Sequence, residues 1–140
     1  MGNLILSCRL TYFDNNNIDL YKLSGEYLSK VVDVYDGDTV TVVLYNKGGF
    51  EKHKLRLKGI DTPELKPNKN IENRDDIITK ANQAKDFLTN LILNKIVKLK
   101  LDGYDKYGRL LGNIEYNQIN INNLMITENY AKSYDGGKKN

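Results

Sequence analysis

Three short segments place carboxylates and arginines where predicted strands end. They are Asp36-Gly37-Asp38-Thr39, then Arg56 followed by Asp61-Thr62-Pro63-Glu64, and finally Asp105-Lys106-Tyr107-Gly108-Arg109. Asp38 and Asp61 can converge with each other and with a backbone carbonyl, and such hard oxygen donors suit Ca²⁺ or Mg²⁺. Each segment alone also has a structural interpretation, because Asp-Gly forms hairpin turns and Thr-Pro-Glu can stop a strand. The three segments together, in this order, indicate a functional site rather than three unrelated turns.

Composition restricts which chemistry these residues could carry out. The chain has 140 residues, which corresponds to one domain, and 40% of them are hydrophobic, enough for a single core. One cysteine, Cys8, excludes an internal disulfide and a multi-cysteine zinc site, and one histidine, His53, excludes chemistry built on two imidazoles. The net charge of +3 permits a polyanionic partner without requiring one. Catalysis must therefore use carboxylates, arginines, lysines or tyrosines.

The first half of the chain shows the alternation of apolar and polar residues that is typical of strands. It predicts three consecutive antiparallel strands, one from Tyr27 to the turn at Asp36, one over 40–44 and one over 53–60. In the third strand Arg56 lies on the polar face, between two leucines that face the core. The carboxylates of the first two segments therefore follow directly on strand ends.

The second half of the chain adds helices and a second strand pair. Residues 65–76 are too polar to pack, so we expect a mobile surface loop there. Apolar residues at steps of three and four predict an amphipathic helix over about 75–94. Further elements are predicted as strands over 97–101 and 110–116 around a turn at Asp102-Gly103, and a short helix near 121–125 with Asn129 as a left-handed cap. This order predicts a mainly β (α+β) fold, a five-stranded OB-fold barrel with one long helix between strands three and four and a short C-terminal helix.

The three segments resemble the motifs of the staphylococcal nuclease (thermonuclease) family. The resemblance spans about 27–134 and rests on residues 34–40, 55–64 and 105–109. It implies a Ca²⁺-dependent phosphodiesterase that cuts DNA and RNA at the 5′-oxygen–phosphorus bond and leaves 3′-phosphate ends. With it come the expectations of a monomer and of a preference for single-stranded substrates.

The resemblance implies a calcium site and a general base. Asp38 and Asp61 match the metal carboxylates, and Thr62 offers its main-chain carbonyl. Glu64 matches the general base or water-positioning carboxylate, and Pro63 stiffens the chain between Glu64 and the metal ligands. Removal of Asp38 alone is expected to weaken cation binding without loss of the fold, because it relieves repulsion among clustered carboxylates.

The resemblance also implies a set of substrate contacts. Arg56 and Arg109 match two arginines that clamp the phosphate, which suits the negative charge that develops on phosphorus during hydrolysis. Lys106 and Tyr107 match positions that touch the nucleotide's other phosphate. Tyr134 matches a tyrosine beside the base.

A second interpretation treats the chain as a binding module. Barrels of this family can keep their shape and lose their acids, and then serve as scaffolds for nucleic acid or protein. The presence of all five side chains that the catalytic interpretation requires favours the enzyme. They are Asp38, Arg56, Asp61, Glu64 and Arg109.

The ends of the chain lie outside the resemblance. Residues 1–26 form an extension of unknown role, 27–135 the nuclease-like domain and 136–140 a tail expected to fray. Gly2 and Cys8 could carry lipid anchors, but Leu6 occupies the place where the myristoylation pattern wants Ser or Thr, so an apolar strand is favoured there. Without a signal peptide or a membrane-spanning segment in the sequence, we expect an intracellular protein.

Overall fold

The structure, a computed structural model, describes residues 2–135, and the tail predicted over 136–140 lies outside the described residues. The helices are α1 (Gly2–Leu10), α2 (Arg74–Ile92) and α3 (Ile121–Thr127). The strands are β1 (Ser24–Asp36), β2 (Thr39–Asn46), β3 (Gly49–Leu57), β4 (Ile60–Asp61), β5 (Ile96–Tyr104), β6 (Leu110–Tyr116), β7 (Ile119–Asn120) and β8 (Lys132–Ser133).

The five long strands form a closed barrel. They are ordered β3-β2-β1-β5-β6, and a parallel pairing of β3 with β6 closes the sheet. Asn122 holds this closure from α3, since its side-chain amide donates to the carbonyls of Lys58 and Gly112 at 2.9 and 3.0 Å. The predicted OB-fold barrel is confirmed, with α2 between the third and fourth long strands and α3 as the short C-terminal helix.

Helix α2 covers the end of the barrel beside the first acidic turn. Its buried face consists of Ala81, Ala84, Leu88 and Ile92, which lie at helical spacing, and the last three of these residues join the barrel core. A Cβ atom on Gly37 would lie 2.8 Å from the Cβ of Ala84, so only glycine allows this approach. The helix therefore fixes the turn between β1 and β2 that carries Asp38.

Several element boundaries differ from the sequence prediction. Strand β1 begins at Ser24, and Leu23 before it is buried in the core, so the barrel starts ahead of the predicted boundary at residue 27. The turn predicted at Asp102-Gly103 is wrong. Gly103 instead has φ +85° and lies inside β5, where the register against β6 shifts between Leu101 and Tyr104. A positive φ at glycine permits such a bulge without ending the strand.

The predicted polar loop and the predicted cap are both present in this half of the chain. Residues 68–73 are exposed, but Pro67 is buried, so the loop is anchored at its beginning. Asn129 has φ +66° and follows α3, as predicted for a left-handed cap.

The N-terminal segment is a helix, and the prediction of a strand there is wrong. A strand needs a neighbour for its backbone hydrogen bonds, whereas helix α1 satisfies its own within the segment. None of the residues of α1 is buried, and Leu4 and Ile5 are 76% and 61% exposed. Among residues 2–135, no helix has both the length and the apolar character that crossing a membrane requires.

Candidate active site

Asp38 is the buried acid around which the candidate site is built. It lies just after the Gly37 turn and is only 6% exposed. Its Oδ2 accepts hydrogen bonds from the Thr62 amide at 3.1 Å and from the Thr62 hydroxyl at 2.9 Å. Its Oδ1 accepts a hydrogen bond from the Thr39 hydroxyl at 3.1 Å. The first two acidic segments of the sequence are thus joined by direct bonds. The expectation that Asp38 can be removed without loss of the fold does not take account of these bonds.

Arg56 bridges the two carboxylates predicted to bind a metal. Its Nη1 lies 3.4 Å from Oδ2 of Asp38, and its Nη2 lies 3.4 Å from Oδ1 of Asp61. Nη1 also donates to the Leu57 carbonyl at 2.9 Å, which fixes the guanidinium. The Arg56 side chain is 12% exposed, whereas Asp61 is 42% exposed and faces solvent. One edge of the site is therefore buried, and the other is open to a ligand.

Arg109 reaches the same site from the opposite side of the barrel closure. Its Nη1 donates to the Thr39 hydroxyl at 3.3 Å, and that hydroxyl in turn donates to Asp38. Its Nε donates to Oδ2 of Asp105 at 2.5 Å, and its backbone amide donates to Oδ1 of the same residue at 2.8 Å. Asp105, which the sequence reasoning did not single out, thus holds the guanidinium in place.

The ionisation of Asp105 supports this positioning role. Its partial burial alone would raise the pKa, but the hydrogen bonds from Arg109 and from the Tyr107 amide outweigh burial and lower the pKa below its usual value. The carboxylate is therefore charged at neutral pH and paired with a guanidinium.

Tyr134 is brought to the site by the last short strand. Strand β8 pairs with β4, with Asp61 opposite Lys132, and the Tyr134 amide donates to the Gly59 carbonyl at 2.9 Å. The ring centroid of Tyr134 consequently lies 6.0 Å from Cζ of Arg56. A base beside the bound phosphate could stack on this ring.

Three other predicted site residues, Glu64, Lys106 and Tyr107, are more exposed than the acids and arginines described above. Glu64 is exposed, and within residues 2–135 it takes part in no side-chain hydrogen bond or ion pair of the structure. Tyr107 is 72% exposed, with Nζ of Lys106 at 5.2 Å and Cζ of Arg109 at 5.5 Å from its ring centroid. Lys106 and Tyr107 therefore flank Arg109 at the tip of the β5–β6 hairpin.

Asp36 is a further acid of the site that the sequence reasoning treated only as part of a turn. Its Oδ1 accepts a hydrogen bond from the Asp38 amide at 3.0 Å. Burial raises the pKa of Asp36 to about 6, and the charge of Asp38 adds to the shift. The alternation of acid, glycine and acid at 36–38 indicates this pair, since a tight turn brings two such side chains together.

The donors at this site fit a hard cation. Asp38, Asp61 and the Thr62 carbonyl offer oxygen only, and the site lacks the nitrogen and sulfur ligands that zinc prefers. Within the described part of the chain, no three acidic, imidazole or thiol groups converge on one point. Water would therefore complete the shell of a bound ion, as is usual for Ca²⁺ and Mg²⁺.

Comparison with known proteins places most of the chain in one family. Residues 54–140 match the family described as staphylococcal nuclease homologue, a range that contains Arg56, the 61–64 segment and Arg109. An uncharacterized protein of Methanocaldococcus jannaschii is 32% identical over 139 residues, which cover 86% of this chain and 65% of that protein. An uncharacterized endonuclease of Haemophilus influenzae is 32% identical over 105 residues, which cover 75% and 51%.

A plant protein is also similar to part of this chain. The protein named "Probable staphylococcal-like nuclease CAN3", of Oryza sativa subsp. japonica, is 32% identical over 87 residues, covering 60% of this chain and 20% of that protein. The chain thus spans between 20% and 65% of the length of these three relatives. The family match covers more than half of the chain, and it includes both arginines and the residues that pair β3 with β6. The chain therefore belongs to the staphylococcal nuclease family.

Proposed function

We propose that this protein is a Ca²⁺-dependent nuclease that hydrolyses DNA and RNA at the 5′-oxygen–phosphorus bond and leaves 3′-phosphate ends. The observation that carries the proposal is the arrangement of Arg56 between Asp38 and Asp61, at 3.4 Å from each. Arg109 is linked to Asp38 through the Thr39 hydroxyl. Two guanidiniums and two carboxylates at one site with an open edge suit an anion and a cation bound side by side.

The acids and the Thr62 carbonyl hold the cation in this proposal. When bound, Ca²⁺ supplies positive charge that stabilises the extra negative charge on phosphorus in the transition state. Asp38 keeps its orientation because Thr62 and Thr39 donate to both of its oxygens. Asp61, at the exposed edge, is the ligand that contacts solvent and substrate most directly.

The arginines bind the non-bridging oxygens of the phosphate. Arg109 is held at Nε by Asp105, which leaves the far end of its guanidinium to point at the site. Arg56 is held by the Leu57 carbonyl and by both acids. Because each guanidinium is already fixed, little conformational entropy is lost when it binds phosphate in the transition state.

The remaining residues act on water, on the neighbouring phosphate and on the base. Glu64 is exposed and lies three residues after Asp61 in the sequence, and it orients or deprotonates the attacking water. Lys106 and Tyr107 contact the neighbouring phosphate from the hairpin tip, and Tyr134 stacks on the base.

The test is hydrolysis of single-stranded and duplex DNA and RNA by the purified protein with Ca²⁺, with Mg²⁺ and with a calcium chelator. Glu64→Gln is compared with Glu72→Gln, a matched change at an exposed acid in the same loop. We expect activity with Ca²⁺ that the chelator and Glu64→Gln abolish and Glu72→Gln leaves intact. Equal activity of both variants would contradict the role of Glu64, and analysis of the product ends tests the bond that is cut.

A second candidate is a barrel that binds nucleic acid without turnover. It is favoured by the observation that, within residues 2–135, no three acidic, imidazole or thiol groups converge, and no side-chain hydrogen bond or ion pair holds Glu64 toward the site. Retention of a labelled strand with no hydrolysis under any metal would select this candidate.

A further inference from the structure

The outer face of the β2–β3 hairpin carries basic side chains in a row that begins at the candidate site. In the antiparallel register Thr39 lies opposite Arg56, Thr41 opposite Lys54, and Val43 opposite Lys52. Since side chains alternate between the faces of a strand, Arg56, Lys54 and Lys52 point to the same side. They follow one another at intervals of roughly 6.6 Å.

The row ends in exposed aromatic rings at the hairpin tip. Tyr45 lies opposite Phe50, and their ring centroids are 5.3 Å apart at an interplanar angle of 67°. Tyr45 is 58% exposed and Phe50 is 80% exposed. The pair stabilises the hairpin as a cross-strand contact, but most of its apolar surface remains in water, where it favours a ligand with flat apolar faces.

The same tip carries a third ring and another cation. Nζ of Lys47 lies 4.5 Å from the ring centroid of Tyr21, and the Asn46 amide donates to the Tyr21 hydroxyl at 3.1 Å. These contacts pin the segment before β1 to the tip of the β2–β3 hairpin.

The charge along the row is largely uncompensated. Within residues 2–135, neither Lys52 nor Lys54 forms an ion pair, and both are exposed. They line a cleft of about 410 Å³ together with Thr41, His53 and one acid, Asp33. The other nearby acid, Glu51, accepts a hydrogen bond from His53 at 2.9 Å. The face is therefore positive overall.

We propose that this face, which we call the lysine track and define as Arg56, Lys54, Lys52, Tyr45 and Phe50, binds a single-stranded polynucleotide that runs outward from the candidate site. The lysines contact successive phosphates, and the rings at the tip stack on unpaired bases. The track is about 20 Å long, because Phe50 and Arg56 are six residue intervals apart at strand spacing. A strand bound along it would fall within the roughly 4–16 nucleotides that one OB fold covers. Stacking on the rings requires unpaired bases, so the track selects single strands over duplexes.

The inference rests on the proposed function, because the track is continuous with the nuclease site. Its test separates the two by comparing a strand of about 12 nucleotides with a dinucleotide that reaches Arg56 but is too short to reach Lys52 and the rings at the hairpin tip. The variants are Lys52→Ala/Lys54→Ala and Tyr45→Ser/Phe50→Ser, with thermal unfolding to check that each is folded.

Two controls are available in the same chain. Lys98→Ala/Lys100→Ala removes two exposed lysines at alternate positions of β5, on another part of the barrel, although Lys98, unlike Lys52 and Lys54, is paired with an acid, Glu115, at 3.7 Å. Tyr12→Ser/Phe13→Ser removes an exposed edge-to-face pair with the same centroid distance of 5.3 Å.

We expect each track variant to lower the ratio of kcat/KM for the long strand to kcat/KM for the dinucleotide by about tenfold or more, and the controls to leave this ratio unchanged. Track and control variants with the same ratio would overturn the inference while the nuclease activity stands.

A binding measurement covers the case in which the protein hydrolyses neither substrate. Fluorescence anisotropy of a labelled single strand, in chelator and at several salt concentrations, measures binding to the lysine track in the absence of catalysis. Loss of two phosphate contacts should reduce the salt slope by about 1.4 in Lys52→Ala/Lys54→Ala. An unchanged slope would overturn the inference. A reduced slope without hydrolysis would support the track and refute the proposed nuclease.

Discussion

Replacement of Asp38 by alanine is expected to weaken the fold as well as the candidate metal site. The Asp38 carboxylate accepts two hydrogen bonds from Thr62 and one from Thr39, and it lies 3.4 Å from the Arg56 guanidinium. The bonds from Thr62 join the turn after β1 to the segment directly after β4, and β1 and β4 have no strand pairing with each other. Without the carboxylate, the buried Thr62 amide loses its acceptor, and Arg56 loses one of its two acids.

The magnitude follows from these losses. A hydrogen bond to a charged group contributes about 1.5–3 kcal/mol, and a buried donor without a partner costs about 1–3 kcal/mol. Since the losses at one site overlap, we expect Asp38→Ala to lower the free energy of unfolding by about 3 kcal/mol. Asp38→Asn keeps an oxygen that can accept from Thr62, so it should cost only about 1 kcal/mol. Both variants should lose the stabilisation that Ca²⁺ gives the wild type.

The assay is urea unfolding of wild type and both variants, in chelator and in excess Ca²⁺. A loss below about 0.5 kcal/mol for Asp38→Ala in chelator would refute the structural role derived for Asp38, because it falls within the range of ordinary surface substitutions. Equal stabilisation of wild type and Asp38→Asn by Ca²⁺ would refute its role as a metal ligand.

The remaining predictions concern turnover, substrate binding and pH. Arg56→Ala and Arg109→Ala should each lower kcat by roughly 10³-fold or more in a hydrolysis assay, and full activity of either would contradict the phosphate clamp. Lys106→Ala and Tyr107→Phe should raise KM with little change in kcat, so a pure loss of kcat would contradict their placement at the neighbouring phosphate. The raised pKa of Asp36, about 6, means that the folded state holds its proton more tightly than the unfolded state, so its contribution to stability falls as pH rises from about 4 through 6. As pH rises from 5 to 8 in chelator, the free energy of unfolding of the wild type should therefore fall by about 1 kcal/mol more than that of Asp36→Asn, with allowance for the partial exposure of Asp36. Parallel curves of unfolding free energy against pH for the two proteins would refute the raised pKa of Asp36.

Much of the barrel could be predicted from local sequence pattern. Residues such as Val40 and Val42 alternate with polar neighbours, and Ala81, Ala84 and Leu88 recur at helical spacing, so element type follows from which face is buried. The N-terminal helix could not be predicted in this way. Helix α1 buries no side chain, so its residues carry no periodicity that a core would impose.

The candidate site also contains residues that could be predicted from local sequence and residues that could not. The residues that supply charge could be proposed from three short motifs, because together these resemble the motifs of the staphylococcal nuclease family. The residues that hold those charges in place could not, since their roles depend on contacts between distant segments. Thr39 links Arg109 to Asp38 across 70 positions of the chain, and Asp105 is defined only by the guanidinium that it holds. Tyr134 is different, because the family resemblance names it as a site residue, but its approach to Arg56 depends on the pairing of β8 with β4.

Closure of the barrel is what brings the two arginines to one acid. Arg56 lies in β3 opposite Thr39 of β2 on one side and opposite Leu111 of β6 on the other. Arg109 comes directly before β6, so the parallel β3–β6 pairing places it beside the turn that carries Asp38. Gly112 belongs to that pairing, and a Cβ there would lie 2.5 Å from the Lys100 carbonyl oxygen. The packing that permits closure and the geometry that permits phosphate binding are therefore one arrangement, and an open barrel would leave Arg109 without its contact to Thr39.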